Sequence, residues 1–225
     1  DNALVDISLR GKQMTVENSY LIADDLSTNG VFPKAWIREK NSFALLKDGN
    51  IRAVENEILS SKICRCFDCR QVLYEESMFD GQKVSKSRII TSVDYSMVSM
   101  EAFEIYATNH DIHVMDFVLK LDAYSYYMMN LLDYLIGNTD RHWANQPVRL
   151  FDLMDLNQTF LAYDTPDGAN CMTTGNRKMS QREAAVEAVK NIGLNQKDEI
   201  KDEWFKGREK EREMFWCRFG ILKEQ

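Results

Sequence analysis

From Leu121 to Ile136 the chain is apolar on nearly every side, with tyrosine, methionine, leucine and isoleucine at almost every position. A helix of that composition has to be central and buried, so the rest of the fold must be built around it. Its Met and aromatic side chains read as core. Asp122 and Asp133 are its charged exceptions. On a straight helix turning about 100° per residue they return to within about 20° of each other and form one narrow polar stripe. Gly137 then supplies a C-terminal cap, and a dense polar string follows, Asn138-Thr139-Asp140-Arg141-His142-Trp143-Ala144-Asn145. A helix packed on all sides delivers that string rigidly.

Asp140, Asn145 and Asp155 are the candidate chemical residues of this stretch. An Asp, then an Asn five positions on, then a second Asp on a short apolar strand is the spacing that kinase-like folds use for a catalytic base and two Mg²⁺ ligands. The residue types suit the task. A carboxylate within reach of an acceptor hydroxyl can take its proton, and hard Mg²⁺ takes oxygen ligands from a carboxylate and an amide. Val148 to Asp155 reads as a short hairpin that returns Asp155 towards Asn145, with Asn157 in support. The plainer reading is a polar helix-to-strand loop in which Asp140 is a cap and Arg141 pairs with a surface carboxylate.

The chain has 225 residues, 44 % hydrophobic and 28 % charged, enough for one large domain or two lobes sharing a cleft. Its 28 basic and 35 acidic residues give a net charge of -7, which argues against nucleic acid as a partner. No apolar run is long enough for a membrane span and no basic-then-apolar leader is visible, so a membrane role is not expected. Five cysteines without such a leader favour a reducing, cytoplasmic setting with free thiols. Cys64, Cys66 and Cys69 read as half-buried helix cysteines, because a structural zinc site needs four ligands and no further Cys or His lies near them.

The first part of the chain reads as a small antiparallel sheet with one helix. Leu4 to Ile7 and Tyr20 to Ile22 are short β-favouring runs. A turn-rich stretch, Leu26 to Lys34 with Gly30, could cover phosphates through backbone N–H groups, with Lys34 as an added charge, and leads into a strand at Ala35 to Arg38. Ser42 to Gly49 reads as a strand ending at Lys47, followed by a helix from Ile51 to about Phe67. Strand signals at Gln71 to Tyr74 and Lys83 to Thr91 flank an acidic turn containing Asp80-Gly81. In a kinase-like lobe Lys47 would hold nucleotide phosphates and pair with a Glu of the helix. Helical periodicity does not choose between Glu55, nearer the apolar side, and Glu57.

After a break between about Ser92 and Ser99 the signals become helical: Met100 to Thr108, Val114 to Leu119, Leu121 to Ile136, Arg182 to Ile192 and Glu199 to Phe219. His110 and His113 read as surface-loop residues. Tyr163 to Gly175 reads as a loop open to an approaching acceptor, and Lys206 to Glu213 as a solvated face whose aromatic neighbours, Trp204, Phe205, Phe215, Trp216 and Phe219, dock the last helix.

Taken together, the order of elements over about residues 26 to 160 resembles the HipA-like serine/threonine kinases of bacteria, and Asp140-Arg141-His142 with Asn145 is also similar to the catalytic loop of phosphatidylinositol kinases. The resemblance implies an α+β, bilobal, protein-kinase-like fold. A nucleotide-binding lobe of a small antiparallel sheet and one helix would cover 1–95, and a larger, mostly helical catalytic lobe 96–225. It implies ATP and Mg²⁺ as cofactors, with Gly30 and Lys34 in the phosphate loop and Lys47 paired with Glu57, since Asn56-Glu57 resembles the family's Asn-Glu pair. Asp140 would be the base, and Asn145 and Asp155 the metal ligands. Ser27 occupies the position that such kinases can autophosphorylate. The implied partners are a protein bearing a Ser or Thr hydroxyl and an antitoxin-like protein. Only nine residues separate Asn145 from Asp155, fewer than the family pattern leads one to expect. No counterpart of the extra N-terminal domain of the full-length toxins is visible, so their DNA-complex properties are not carried over. A lipid or small-molecule kinase and an ATP-binding regulator without turnover are the competing readings.

Overall fold

The computed structural model describes residues 34–39, 43–48, 50–88, 100–141, 153–161 and 163–225. The expected strands before residue 23, the turn-rich stretch with Ser27 and Gly30, the whole break between Ser92 and Ser99, Asn145 and most of the expected hairpin lie outside these residues. The described residues fall into two compact units, one holding those up to Ile58 with 72–88, the other Leu59 to Gln71 with 100–225.

The first unit is a four-stranded antiparallel sheet. Strands β1 (Lys34–Arg38), β2 (Phe43–Lys47), β3 (Glu75–Phe79) and β4 (Gln82–Arg88) lie in the order β1-β2-β4-β3. Lys34 faces Lys47 across β1 and β2, and Lys47 faces Ser85 across β2 and β4. The β3–β4 connection is the two-residue turn Asp80-Gly81, with φ of 50° and 78°. Two positive φ values in sequence are what a tight hairpin needs to match strand twist, and Asp-Gly supplies them. The strand expected at Gln71 to Tyr74 is absent: Gln71 makes one isolated bridge and the strand begins at Glu75. Val72 and Tyr74 are nonetheless buried while Leu73 between them is exposed, and a short β-favouring run of this kind reads like a strand.

Helix α1 (Ile51–Cys64) starts at Asn50, whose Oδ1 accepts the Ala53 N–H at 2.9 Å. It is buried on more than its apolar side. Asn56, Glu57, Ser60 and Ser61 are as enclosed as Val54 and Leu59. Ile51 to Ile58 counts with the first unit and the remainder of α1 with the second.

In the second unit α2 (Met100–Asn109) and the start of α3 (Val114–Ile136) share a cluster of Phe103, Ala107, Val118 and Tyr126. His113 caps α3 and pairs with Asp116, and both side chains are exposed. Helix α3 breaks at Asp122, whose φ and ψ are -161° and 76°. The Asp122 carboxylate takes the Ser125 N–H at 3.0 Å and the Ser125 hydroxyl at 2.7 Å, and so caps the second segment. The break cancels the expected polar stripe, since Asp122 and Asp133 no longer lie on one straight helix. Burial is complete only in the last turns, where Leu131, Leu132, Leu135 and Ile136 are fully enclosed, while Leu121 and Tyr124 on either side of the break reach the surface.

Helix α4 (Gln181–Ile192) opens on a reciprocal capping box between Ser180 and Glu183. The long helix expected from Glu199 to Phe219 is instead a 3₁₀ turn, Asp202–Phe205, then α5 (Glu209–Lys223), parted around Gly207 at φ 74°. Phe205, Phe215 and Phe219 dock α5 as expected, and Phe67 meets Phe219 edge-on, while Trp204 and Trp216 stay half-exposed. The loop between Tyr163 and Gly175 is stitched to α3. The hydroxyls of Tyr126, Tyr134 and Tyr163 donate to the carbonyls of Thr173, Pro166 and Leu135 respectively. Burial pushes the Tyr134 hydroxyl up to about 12, against the opposing pull of Arg218, so it remains a donor throughout the physiological range.

Candidate functional site

The sheet and α1 place two of the expected residues together in the first unit. Lys47, the last residue of β2, and Glu57, the seventh of α1, meet with Lys47 Nζ 2.8 Å from Glu57 Oε1. Lys47 is 7 % and Glu57 1 % exposed, so this is a buried ion pair. Burying either charge alone would be costly, and the pair survives because its hydrogen bonds are supplied locally. Ser85, opposite Lys47 on β4, donates to Glu57 Oε2, and the Lys47 ammonium lies 5.0 Å from the centre of the Tyr74 ring. Both Glu57 oxygens are therefore engaged. Glu55 points away and pairs loosely with Lys83 at 3.9 Å. The choice between the two glutamates, open to helical periodicity, is made by the sheet that covers the polar side of α1. Lys34 opens β1 in register with Lys47, on a different strand from it.

The second unit holds Asp140 on the segment that leaves α3. Gly137 adopts a left-handed cap (φ 59°, ψ 45°) and donates to Asp133 O and Tyr134 O. A Cβ here would lie 2.4 Å from Tyr163 Cδ2, so glycine is required by space as well as by φ. Asn138 follows, fully buried, with Nδ2 donating to Asp133 Oδ1 at 3.0 Å and Oδ1 accepting the Asp140 N–H at 3.2 Å. Gln181 Nε2 donates to Asn138 O at 2.6 Å, so the first residue of α4 also holds the segment. Asp140 itself is half-exposed.

Arg141 turns inward. Its Nε donates to Asp133 Oδ2 at 3.0 Å and its Nη2 to Asp133 Oδ1 at 3.3 Å, a forked pair with both residues 5 % exposed. Its Nη1 donates to Met154 O at 2.9 Å. One guanidinium thus joins the end of α3, the Asp140 segment and the residue before Asp155. The partner of Arg141 is a buried carboxylate, where the plainer reading had a surface one. Asp155 has φ 60°, uncommon for a residue with a side chain. The chain around it is pinned: Leu153 N donates to Arg70 O at 3.0 Å, Thr159 Oγ1 to Leu156 O at 2.8 Å, and Phe160 N to Ile136 O at 3.0 Å. Asn157, 9 % exposed, has its Oδ1 buried without a hydrogen-bond partner among the described residues.

Asp133, Ser85 and Tyr74 are the site residues that sequence reasoning missed. Asp133 carried a usable signal, being a lone carboxylate in the most apolar part of α3, eight positions before an arginine. Ser85 and Tyr74 carried none, because their positions depend on strand register. Cys64 and Cys66 are buried and Cys69 half-buried, and burial pushes the Cys64 thiol well up, which keeps it protonated. Among the described residues no helix is long and apolar enough to cross a membrane.

No protein-family model matches the chain, and no curated protein sequence matches it. Among solved structures it is similar to the Helicobacter pylori proinflammatory kinase CtkA, with a TM-score of 0.60 and 12 % identity over 88 % of this chain and 94 % of that one. At that identity the likeness concerns the fold, which is kinase-like: an α+β arrangement of a small antiparallel sheet and a set of helices.

Proposed function

We propose that the chain is an ATP- and Mg²⁺-dependent phosphotransferase of the HipA-like kind, acting on a Ser or Thr hydroxyl of a protein and able to phosphorylate itself. The observation that carries this reading is the buried Lys47–Glu57 pair at 2.8 Å on a kinase-like fold, since a buried charged pair is seldom a net gain over apolar residues of the same size. Glu57, held by Ser85, would orient Lys47 so that its ammonium meets phosphate oxygens as a point charge. Residues 1–95 would form the nucleotide-binding lobe, with Gly30 and Lys34 in the phosphate loop, and 96–225 the catalytic lobe.

The donor set suits the cation: Asp155 brings a carboxylate, Asn157 a buried carbonyl oxygen without a donor among the described residues, and Asn145 an amide. Asp155 and Asn145 would hold Mg²⁺, whose chemistry there is to neutralise charge on the phosphate oxygens. Asp140 would take the proton of the acceptor hydroxyl on its carboxylate as that oxygen attacks. Arg141 never meets the substrate in this scheme. Locked to Asp133 and to Met154 O, it fixes the Asp140 and Asp155 segments and keeps their geometry the same from one turnover to the next.

Intact-mass spectrometry of wild type and Asp140→Asn, each incubated with ATP and Mg²⁺, tests this reading. Wild type should gain phosphate and the variant should be slower by about 10²–10⁴-fold. A variant that gains phosphate at the wild-type rate would remove Asp140 as the base. If neither gains phosphate, and neither transfers it to a protein or lipid extract although ATP raises the melting temperature, the chain is a nucleotide-binding regulator.

A further inference from the structure

We infer that the side-chain carbonyl of Asn157 is a direct oxygen ligand of the divalent cation held at Asp155; this rests on the phosphotransferase reading of that segment. Asn157 is nine-tenths buried, and its Oδ1 has no hydrogen-bond partner among the described residues. Native interiors seldom leave a buried acceptor in that state, and the exceptions ask for a reason.

Local relaxation does not supply one. The chain is fixed on both sides of the residue, at Leu153 by Arg70 O, at Met154 by Arg141 and at Phe160 by Ile136 O. Between them Thr159 Oγ1 holds Leu156 O at 2.8 Å and is itself 2.8 Å from Ser60 Oγ. With the backbone so held, the Asn157 side chain cannot swing far to find a donor, and an apolar residue of the same size would fit at lower cost.

The position gains sense when a cation supplies the missing positive charge. Asn157 follows Asp155 by two residues, and Asp155 sits at φ 60°, a left-handed conformation that aspartate tolerates better than most side chains. A carboxylate and an amide carbonyl are both hard oxygen donors, the type chosen by Mg²⁺ and Mn²⁺. The chemistry that recognises this pair is thus a hard divalent cation, and Asn157 contributes a neutral oxygen where a second carboxylate would add like-charge repulsion.

The test uses the full chain with a non-hydrolysable ATP analogue and Mn²⁺, whose free and bound forms are distinguished by electron paramagnetic resonance. Wild type should bind Mn²⁺ and Asp155→Asn should lose most of that binding. Asn157→Leu should weaken it by about 10–100-fold, the scale on which residues around a metal tune its affinity. Without cation the same variant should melt at or above the wild-type temperature, because the orphaned acceptor is gone, and Mn²⁺ should raise its melting temperature less than that of wild type. Asn157→Asp, of nearly the same shape, should bind Mn²⁺ more tightly and melt lower without it. If Asp155→Asn loses Mn²⁺ while both Asn157 variants bind like wild type, the role of Asn157 is overturned and the reading of Asp155 stands. If wild type and Asp155→Asn bind alike, the cation reading of the segment falls and this inference falls with it.

Discussion

Arg141 ties three parts of the site together, the end of α3, the Asp140 segment and the residue before Asp155. Its guanidinium spends its fork on Asp133 and its remaining arm on Met154 O, so removing it strands a carboxylate that is 5 % exposed. Breaking a buried pair from one side typically costs about 3–5 kcal/mol, because the leftover charge has no solvent to turn to. Arg141→Met should therefore lower stability by about that amount in urea titration, and slow phosphate transfer more than it weakens nucleotide binding. Replacing both partners, Asp133→Leu with Arg141→Met, should recover part of the stability. The recovery is incomplete because Asn138 Nδ2 and Met154 O still lose their partners. A double variant no more stable than Arg141→Met would show that the loss does not arise from a stranded charge.

At the level of elements, helix starts are where side chains replace missing backbone partners. In α4 Glu183 reaches back to the Ser180 N–H and hydroxyl, and those hydrogen bonds, the backbone one foremost, hold its carboxyl below the ordinary range. A depressed carboxyl stabilises the fold when ionised. Its contribution is complete above the unfolded value of about 4.3 and is lost as the pH falls through the lower folded value. Glu183→Gln should thus be less stable than wild type at pH 7, with the difference closing below about pH 4, as followed by thermal melting against pH. A gap that is constant with pH would mean the capping box acts without the charge. Because Gln181 holds Asn138 O from the same turn, fraying there should also loosen the Asp140 segment.

On the scale of the whole molecule, the C-terminal helix α5 reaches back to the end of α3 through Arg218. This guanidinium is fully buried, and its hydrogen bonds go to carbonyls: Nη1 donates to Tyr134 O at 2.6 Å and Nη2 to Thr165 O at 2.8 Å. It lies 4.2 Å from the Tyr163 ring centre and 5.1 Å from that of Tyr134. Burial lowers its affinity for the proton, opposed by the neighbouring tyrosines. Carbonyls at a helix C-terminus carry partial negative charge, which explains how a cation is tolerated there. Lysine has no planar fork to bridge two carbonyls and stack on two rings. Arg218→Lys should therefore cost about 2–4 kcal/mol from the groups it leaves unsatisfied, read as a lower denaturant midpoint. A midpoint unchanged from wild type would show that the clamp is dispensable.

Local patterns were enough to determine much of this. The apolar run before Gly137 could only be an internal helix, Asp80-Gly81 could only be a tight turn between strands, and the polar string after Gly137 had to emerge from a rigid support. Those features rest on neighbours in sequence, where period and backbone preference act directly. The tertiary structure decided whatever depends on partners far along the chain. It selected Glu57 over Glu55 by laying β2 and β4 against the polar side of α1, and it made Asp133 the anchor of Arg141 by folding the segment after Gly137 back against the end of α3. It also bound the loop after Tyr163 to α3 through tyrosine hydroxyls that look, in sequence, like core alone. The physical reason is the same in each case. A buried polar group is stable only with its partner in place, and that partner is set by packing between elements, which sequence periodicity does not encode.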